Sequence, residues 1–266
     1  MAVEYDGSDF FGWQIQKDGR DVQTCVERAL SVVANEPVKA VCAGRTDSGV
    51  HAVGQVVHFD TTAARGERSW VLGVNSNLPD DVNACWTRVV PDHFHARFSA
   101  LRRTYRYLIL NRRVRSSLLR RRACWIHRPL DATRMQAGAG HLLGEHDFTS
   151  FRAANCQANT AVRTLHRLDV ARRDDFIWIT VTANAFLQHM VRNIVGALLK
   201  VGFGEREPEW IGDLLRQRDR TRAGVAAPPE GLYFTLVEYP PEFGLPDAPG
   251  VFAVPDSFIM RLPGWS

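Results

Sequence analysis

Strands that interleave with helices, and one clear hairpin signal, predict an α+β fold with antiparallel sheets rather than a doubly wound parallel one. Two halves with a similar order of elements predict two related domains joined near residue 100. A hydrophobic content of 45% over 266 residues supplies ample material for a buried core.

The first half opens on a strand over residues 2–5, stopped by the turn pair Asp6-Gly7. That strand begins almost at Met1, so the true start is expected upstream. Asp21 is placed to cap a helix in which Val22, Cys25, Val26, Ala29, Leu30 and Val33 recur on one face. A strand over 38–43 enters the stretch AGRTDSGVHAVGQVVHF, and a strand over 55–59 leaves it. A short helix near 70–74 is ended by Pro79, after which Val82, Ala84 and Trp86 alternate as in a half-buried strand. Residues 104–110 alternate again, with Tyr105, Tyr107 and Ile109 on one face and Thr104, Arg106 and Leu108 on the other. In the second half Asp131 caps a helix running to residue 143 and closed by Gly144. Residues 162–170 and 176–182 read as a hairpin across 171–175. A long helix over 188–201 turns Met190, Ile194, Val195, Ala197 and Leu198 inward, a shorter one starts near Pro208, and the last strand covers 232–237. The expected division is 1–100, 101–241 and a tail over 242–266, whose prolines and glycines suit a segment draped on the surface or partly disordered.

Thirty-three Lys and Arg against 29 Asp and Glu give a net charge of +4, which permits a polyanionic partner. Cys25, Cys42, Cys85, Cys124 and Cys156 form no CxxC pair and read as reduced core thiols of a cytosolic protein. No stretch approaches the roughly 20 consecutive apolar residues of a membrane span, and the N-terminus lacks the regions of a signal peptide. The expected location is therefore cytoplasmic, with no membrane partner. Neither GxGxxG after a strand nor GxxxxGK[ST] occurs, so no nucleotide cofactor is expected. His93 and His95 have the spacing of two metal ligands on a strand, but no further cluster completes a site, and no metal is expected.

Asp47-Ser48-Gly49 is a good turn sequence in which the aspartate bonds backbone amides, and Gly44 and Gly49 let the chain bend. Its surroundings point further. Arg45 lies two residues before Asp47 and His51 four after it, between two strands, where rigid scaffolds hold reactive groups. A carboxylate beside an arginine stays ionised and suits a nucleophile or base. Arg192, within a helix whose neighbours look buried, either lies on a polar face or reaches Asp47 from the second half. RRTYRYLIL is an aromatic strand flanked by arginines, suited to stacking bases and contacting phosphates. The arginines at 112, 113, 115, 120, 121 and 122 form either a solvated surface or a phosphate clamp. Three readings remain open on these residues: an RNA-acting enzyme using Asp47, an aspartic protease whose second Asp-Ser-Gly comes from another copy, and an RNA-binding module in which Asp47 only shapes a turn.

GRTDSGVHAVGQVVHF closely resembles the signature of the tRNA pseudouridine synthase A family. EYDGSDFFGWQ, NSNLP, FHARFSA, TYRYLI, GEHDFTSFR, NAFLQHMVRNIVG and EGLYF resemble that family's other segments in its order, from Glu4 to about Tyr239. The resemblance implies two ferredoxin-like, RNA-recognition-motif-like α+β domains whose antiparallel sheets join across a basic active-site cleft. It implies a homodimer that isomerises uridine to pseudouridine at positions 38, 39 and 40 of the tRNA anticodon stem-loop, without metal or organic cofactor. Asp47 matches the family's nucleophile, Tyr105 the tyrosine that stacks on the target base, Arg45 the arginine linked to base flipping, Arg192 the arginine paired with the aspartate, and Leu232 an apolar residue lining the uracil pocket. RNA contacts are implied for Arg65, for Phe94, His95, Ala96, Arg97 and Phe98, for Arg113, and for Asn155, Cys156, Gln157, Ala158 and Asn159. Family members have several more residues before the first strand, and the run Arg120 to Arg122 is more basic than the resemblance requires.

Overall fold

The structure, a computed structural model, describes residues 1–17 and 19–246; most of the tail expected over 242–266 lies outside the described residues. The first strand, β1 (Ala2–Tyr5), and the helix α1 (Val22–Ala34) follow the sequence pattern. The Asp21 carboxylate accepts a hydrogen bond from Thr24 N at 2.7 Å, capping α1. Strand β2 is only Val41–Cys42, shorter than expected. The amides of Val38 and Ala40 are taken by the Ser31 hydroxyl and the Glu27 carboxylate of α1, which withdraws them from a strand ladder. Strand β3 (His51–His58) starts earlier than the apolar run suggested, and α2 (Glu67–Asn75) and β4 (Val82–Trp86) complete the first half.

Strand β5 (Arg102–Asn111) is followed by β6 (Cys124–Ile126), a short strand with no clear signature in the sequence. Helix α3 (Ala132–Gly140), capped by Asp131, ends three residues before the expected point. Gly138 and Gly140 weaken its last turn, and the amides of Leu142 and Leu143 fall back onto Ala139 and Gly140 in tighter three-residue bonds. Gly144 opens β7 (Gly144–Asp147) with φ +96 instead of closing a helix. The predicted hairpin is β8 (Val162–Arg173) and β9 (Phe176–Ala183), with the turn tightened to Asp174-Asp175. Helices α4 (Met190–Gly202) and α5 (Trp210–Gln217) precede the last strand, β10 (Leu232–Glu238).

The strands make one sheet in the order β4-β1-β3-β10-β5-β9-β8-β7, with β2 on β3 and β6 on β5. Its pairings are antiparallel except for β5 with β6 and β10 with β3, the latter spanning only Tyr233 against His51 and Phe234 against Ala52. The last strand among the described residues thus joins the two halves. Buried side chains of α1, α3, α4 and α5 share the main core with Tyr105, Tyr107 and Ile109 of β5. On the other face, Leu108 and Leu110 are also buried, packed with Trp178, Tyr233 and Ala123.

The arginine-rich segment after β5 contributes to the cover of that second face. Arg121 pairs with Asp9 at 2.8 Å and Arg122 with Asp6 at 2.5 Å. The carbonyl of Arg121 contacts His51 Nε2 at 2.9 Å, and that of Arg122 accepts the Tyr233 hydroxyl at 2.5 Å. Arg121 and Arg122 therefore serve as struts to the first half, while Arg113, Arg115 and Arg120 remain exposed. Cys42 and Cys124 are buried and Cys25, Cys85 and Cys156 half-buried, all as free thiols. Among the described residues no helix is long and apolar enough to cross a membrane.

His51 is 2% exposed, stacks on Tyr233 at 4.7 Å and accepts the Gly7 amide on Nδ1. Burial holds its pKa below the ordinary histidine value despite the Asp6 carboxylate at 3.1 Å, and burial lowers His58 as well. The unfolded chain takes up protons at both positions near pH 6.5 while the folded chain does not. Stability is then full above that pH and falls as pH drops through the window between the unfolded and folded values. Urea midpoints taken from pH 7.5 down to 5 should decline, and the decline should be shallower in His51→Gln.

Candidate active site

Asp47 stands on the loop between β2 and β3, and the surrounding chain fixes that loop. The carbonyl of Thr46 accepts from Trp13 N at 3.1 Å, and that of Phe10 accepts from Gly49 N at 3.2 Å and Ser48 Oγ at 3.3 Å. Thr46 Oγ1 and the Tyr5 hydroxyl are 2.8 Å apart, and Gln55 Nε2 donates to the Gly44 carbonyl at 2.6 Å. The turn closes through Val50 N on the Asp47 carbonyl at 3.1 Å, with Gly49 at φ +77. An L side chain is strained at that φ, so Gly49 is required by the turn. Gly44 is not in the left-handed region; it lies over Phe234 and Tyr105.

The Asp47 carboxylate takes no backbone amide among the described residues, so the turn does not depend on it. Its Oδ2 faces Arg192 at 3.6 Å and His189 Nε2 at 3.5 Å. Both separations exceed hydrogen-bond length, so the two side chains flank the carboxylate without occupying its lone pairs. The side chain is 28% exposed, open to an incoming group. Arg45, expected near Asp47, is exposed and forms no ion pair with it; Arg192, expected to pair with the aspartate, stands beside it, and His189 lies on the same oxygen. Two basic side chains stand where a protease dyad needs a second carboxylate sharing a proton.

Arg192 is held from behind. Its Nε donates to the Ala227 carbonyl at 2.8 Å, and Ala227 N donates to the Arg192 carbonyl at 2.9 Å. Segment 225–227 lies so close to α4 that a Cβ on Gly196 would sit 2.2 Å from the Val225 carbonyl oxygen. His189 enters α4 at φ +60, which is why the helix begins at Met190 rather than at residue 188.

Tyr105 lies in β5 beside β10. Its ring stacks on Phe234 at 4.7 Å and meets Phe186 edge-on at 5.0 Å. Its hydroxyl lies 3.6 Å from the position of a Gly44 Cβ, under the Asp47 loop. Burial, together with the nearby Tyr5 and Asp47, pushes its pKa far up, so the phenol stays protonated. Leu232, 4% exposed, opens β10 opposite Tyr107. Arg103 is buried among the Ala43, Ala100, Asn184 and Arg97 carbonyls, tying the entry of the Asp47 loop to the second half.

The remaining sequence candidates are spread more widely. Phe94 and Ala96 are core residues, Phe94 packing on Tyr239 and Phe243, whereas Arg97 and Phe98 are exposed and His95 half-buried. Arg65 donates through Nε to the Val33 carbonyl near the end of α1. Arg113 is exposed, as are Asn155, Gln157 and Asn159, with Cys156 and Ala158 half-buried. The sequence reading missed His189, Phe186, Phe234 and Ala227. His189 lay within a recognised segment, but only its backbone conformation separates it from the helix. Among the described residues no group of three or more His, Cys, Asp or Glu is arranged to hold a metal.

A family model described as tRNA pseudouridine synthase matches residues 1–99 and 139–240. The chain is 56% identical over 245 residues to the tRNA pseudouridine synthase A of Methylococcus capsulatus, covering 92% of this chain and 90% of that protein. It is 51% identical over 256 residues to the protein of that name from Coxiella burnetii, covering 96% and 98%. For Shewanella amazonensis the figures are 53% over 246 residues, covering 92% and 94%. Among solved structures, a Cbf5-Nop10-Gar1 complex matches at 12% identity and TM-score 0.35, over 88% of this chain and 57% of that one, a likeness too loose to carry weight.

Gly196→Ala tests the support of Arg192. The added methyl forces segment 225–227 away from α4, and with it the two Ala227 bonds. A loss of about 1–3 kcal/mol, the usual cost of overpacking, is expected in urea unfolding, with a longer separation between Arg192 and Asp47 in a crystal structure of the variant. An unchanged midpoint and separation would mean that the close approach does not hold Arg192.

Proposed function

The chain belongs to the tRNA pseudouridine synthase family, and from that premise we propose that it isomerises uridines at positions 38, 39 and 40 of the anticodon stem-loop with Asp47 as nucleophile. The observation that carries this reading is the partly exposed Asp47 carboxylate, flanked by Arg192 and His189 with its lone pairs unoccupied.

The reaction breaks the bond from N1 to C1′, turns the uracil, forms the bond from C5 to C1′, releases the proton from C5 and places a proton on N1. Atoms balance without redox or hydrolysis. An ionised carboxylate beside the ribose captures the electron-poor C1′ or initiates elimination, much as carboxylates act on glycosides. The target base leaves its stack first, at a cost of a few kcal/mol, offset by phosphate contacts and, in this reading, by Arg45 stepping into the vacated space. Tyr105 then stacks against the base, with its protonated hydroxyl as a donor, and Leu232 lines the uracil pocket. These apolar walls exclude water that would otherwise intercept the detached base.

Arg65, His95, Arg97, Phe98, Arg113 and residues 155–159 belong to the RNA-contacting surface in this proposal, with Phe94 and Ala96 supporting it from the core. The protein acts as a cytoplasmic homodimer, its two α+β halves forming ferredoxin-like domains over 1–100 and 101–241, followed by the tail over 242–266, and no cofactor takes part.

Release of tritium from tRNA labelled at uridine C5, with mapping of the modified positions, tests reaction and substrate together. Asp47→Asn should reduce release by more than about a thousandfold while tRNA binding stays within about threefold, since phosphates dominate affinity. Near wild-type turnover would remove Asp47 from the chemistry. Tyr105→Phe keeps the ring and removes the donor; a fall of about a hundredfold is expected for a proton-transfer role, and equal rates would confine Tyr105 to packing.

A further inference from the structure

A cavity of about 300 Å³ opens between the first turn of α4 and the segment after the 3-10 turn Thr149–Phe151. It is lined by Arg152, Asn155, Gln188, His189, Asn193 and Arg220, together with backbone and small residues. We propose that this cavity holds the phosphodiester next to the target uridine, clamped by Arg152 and Arg220, with His189 joining the clamp to Asp47. This rests on the function proposed above and adds residues for positioning the substrate backbone.

Three observations support it. The residues lining the cavity include no Asp or Glu, and among the described residues neither Arg152 nor Arg220 forms an ion pair, Arg152 acting on the Asp147 carboxyl only from beyond contact distance. Two arginines lining one small polar space, neither in an ion pair among the described residues, suit a doubly contacted anion, since a guanidinium forks onto phosphate oxygens. The space is also built rather than a gap between loops. Ala153 N donates to the Gln188 carbonyl at 2.9 Å, and Asn193 Nδ2 donates to the Phe151 carbonyl at 2.8 Å, pinning the Arg152 segment to α4. Finally, the cavity reaches the reacting carboxylate through one side chain, because His189 lines it and also stands 3.5 Å from Asp47. Its volume is at the small end for ligand pockets. That accommodates a sugar-phosphate link, while the base remains at Asp47.

The test uses an anticodon stem-loop RNA in three forms: unmodified, and with a neutral methylphosphonate at the linkage on either side of the target uridine. Wild-type enzyme, Arg152→Ala, Arg220→Ala and the double variant are compared for kcat/KM and for binding as a function of salt. Neutralising one of the two linkages should lower wild-type kcat/KM about tenfold, and the double variant should show a similar loss on unmodified RNA. Combining the two changes should cost little more than either alone, because both remove the same contact. The double variant should also flatten the dependence of log K on log salt by about 0.7, the share of one phosphate on a single strand. Arg220→Lys, which keeps the charge, should recover part of the loss, and urea midpoints confirm that the fold is intact. Fully additive losses at both linkages, or variants indistinguishable from wild type on RNA that wild type converts, overturn the clamp and leave the proposed function standing. Absence of pseudouridine with wild-type enzyme overturns the proposed function and the clamp with it.

Discussion

Strand β10 lies between β3 and β5, parallel to one and antiparallel to the other, and the site follows from that placement. The loop that carries Asp47 feeds directly into β3. Tyr105 is on β5, opposite Phe234 of β10, on whose ring it stacks. Segment 225–227, which leads into β10, holds Arg192. A single strand therefore sets the spacing of carboxylate, tyrosine and arginine, although those three residues come from distant parts of the chain. The junction with β3 is short, two residue pairs, and is reinforced where the Arg103 guanidinium gathers carbonyls from both sides. A buried arginine satisfied by carbonyls avoids the cost of an unpaired buried charge.

The arginines divide by partner rather than by position in the sequence. Arg121 and Arg122 neutralise Asp9 and Asp6 and fasten a loop over the second face of the sheet, so their charge is already committed in the free protein. Arg103 is consumed by carbonyls. Arg152 and Arg220 line a cavity whose lining residues include no Asp or Glu. Within the run from Arg120 to Arg122, the most conspicuous basic cluster in the sequence, Arg121 and Arg122 are thus structural, whereas Arg152 and Arg220, about 70 residues apart in sequence, meet at the cavity.

Much of the fold was legible where one face of an element decides its period. The apolar stripes of α1 and α4, the Asp21 and Asp131 caps and the hairpin of β8 with β9 all appear where the pattern put them. The pattern failed where a backbone group found a non-ladder partner, as at Val38 and Ala40, or where a short strand such as β6 or β7 depends on a neighbour for its pairing. In the site, residue types were legible and distances were not. Arg45 is near Asp47 in sequence but forms no ion pair with it, whereas Arg192, about 145 residues later and expected either on a polar face or at Asp47, does stand beside the carboxylate. His189 went unnoticed because its left-handed φ leaves no mark in composition or period.

The central position of the last strand also bears on how the molecule is made. As the chain leaves the ribosome, the Asp47 loop, β3 and β5 are all available long before β10, and until residues 232–238 emerge the two strands present unpaired edges to each other and to any other chain nearby. The first half can acquire its helices and core early. The pocket cannot take its shape before β10 is in place, so a chain that ends short of residue 232 carries Asp47 and Arg192 without the strand that sets their spacing.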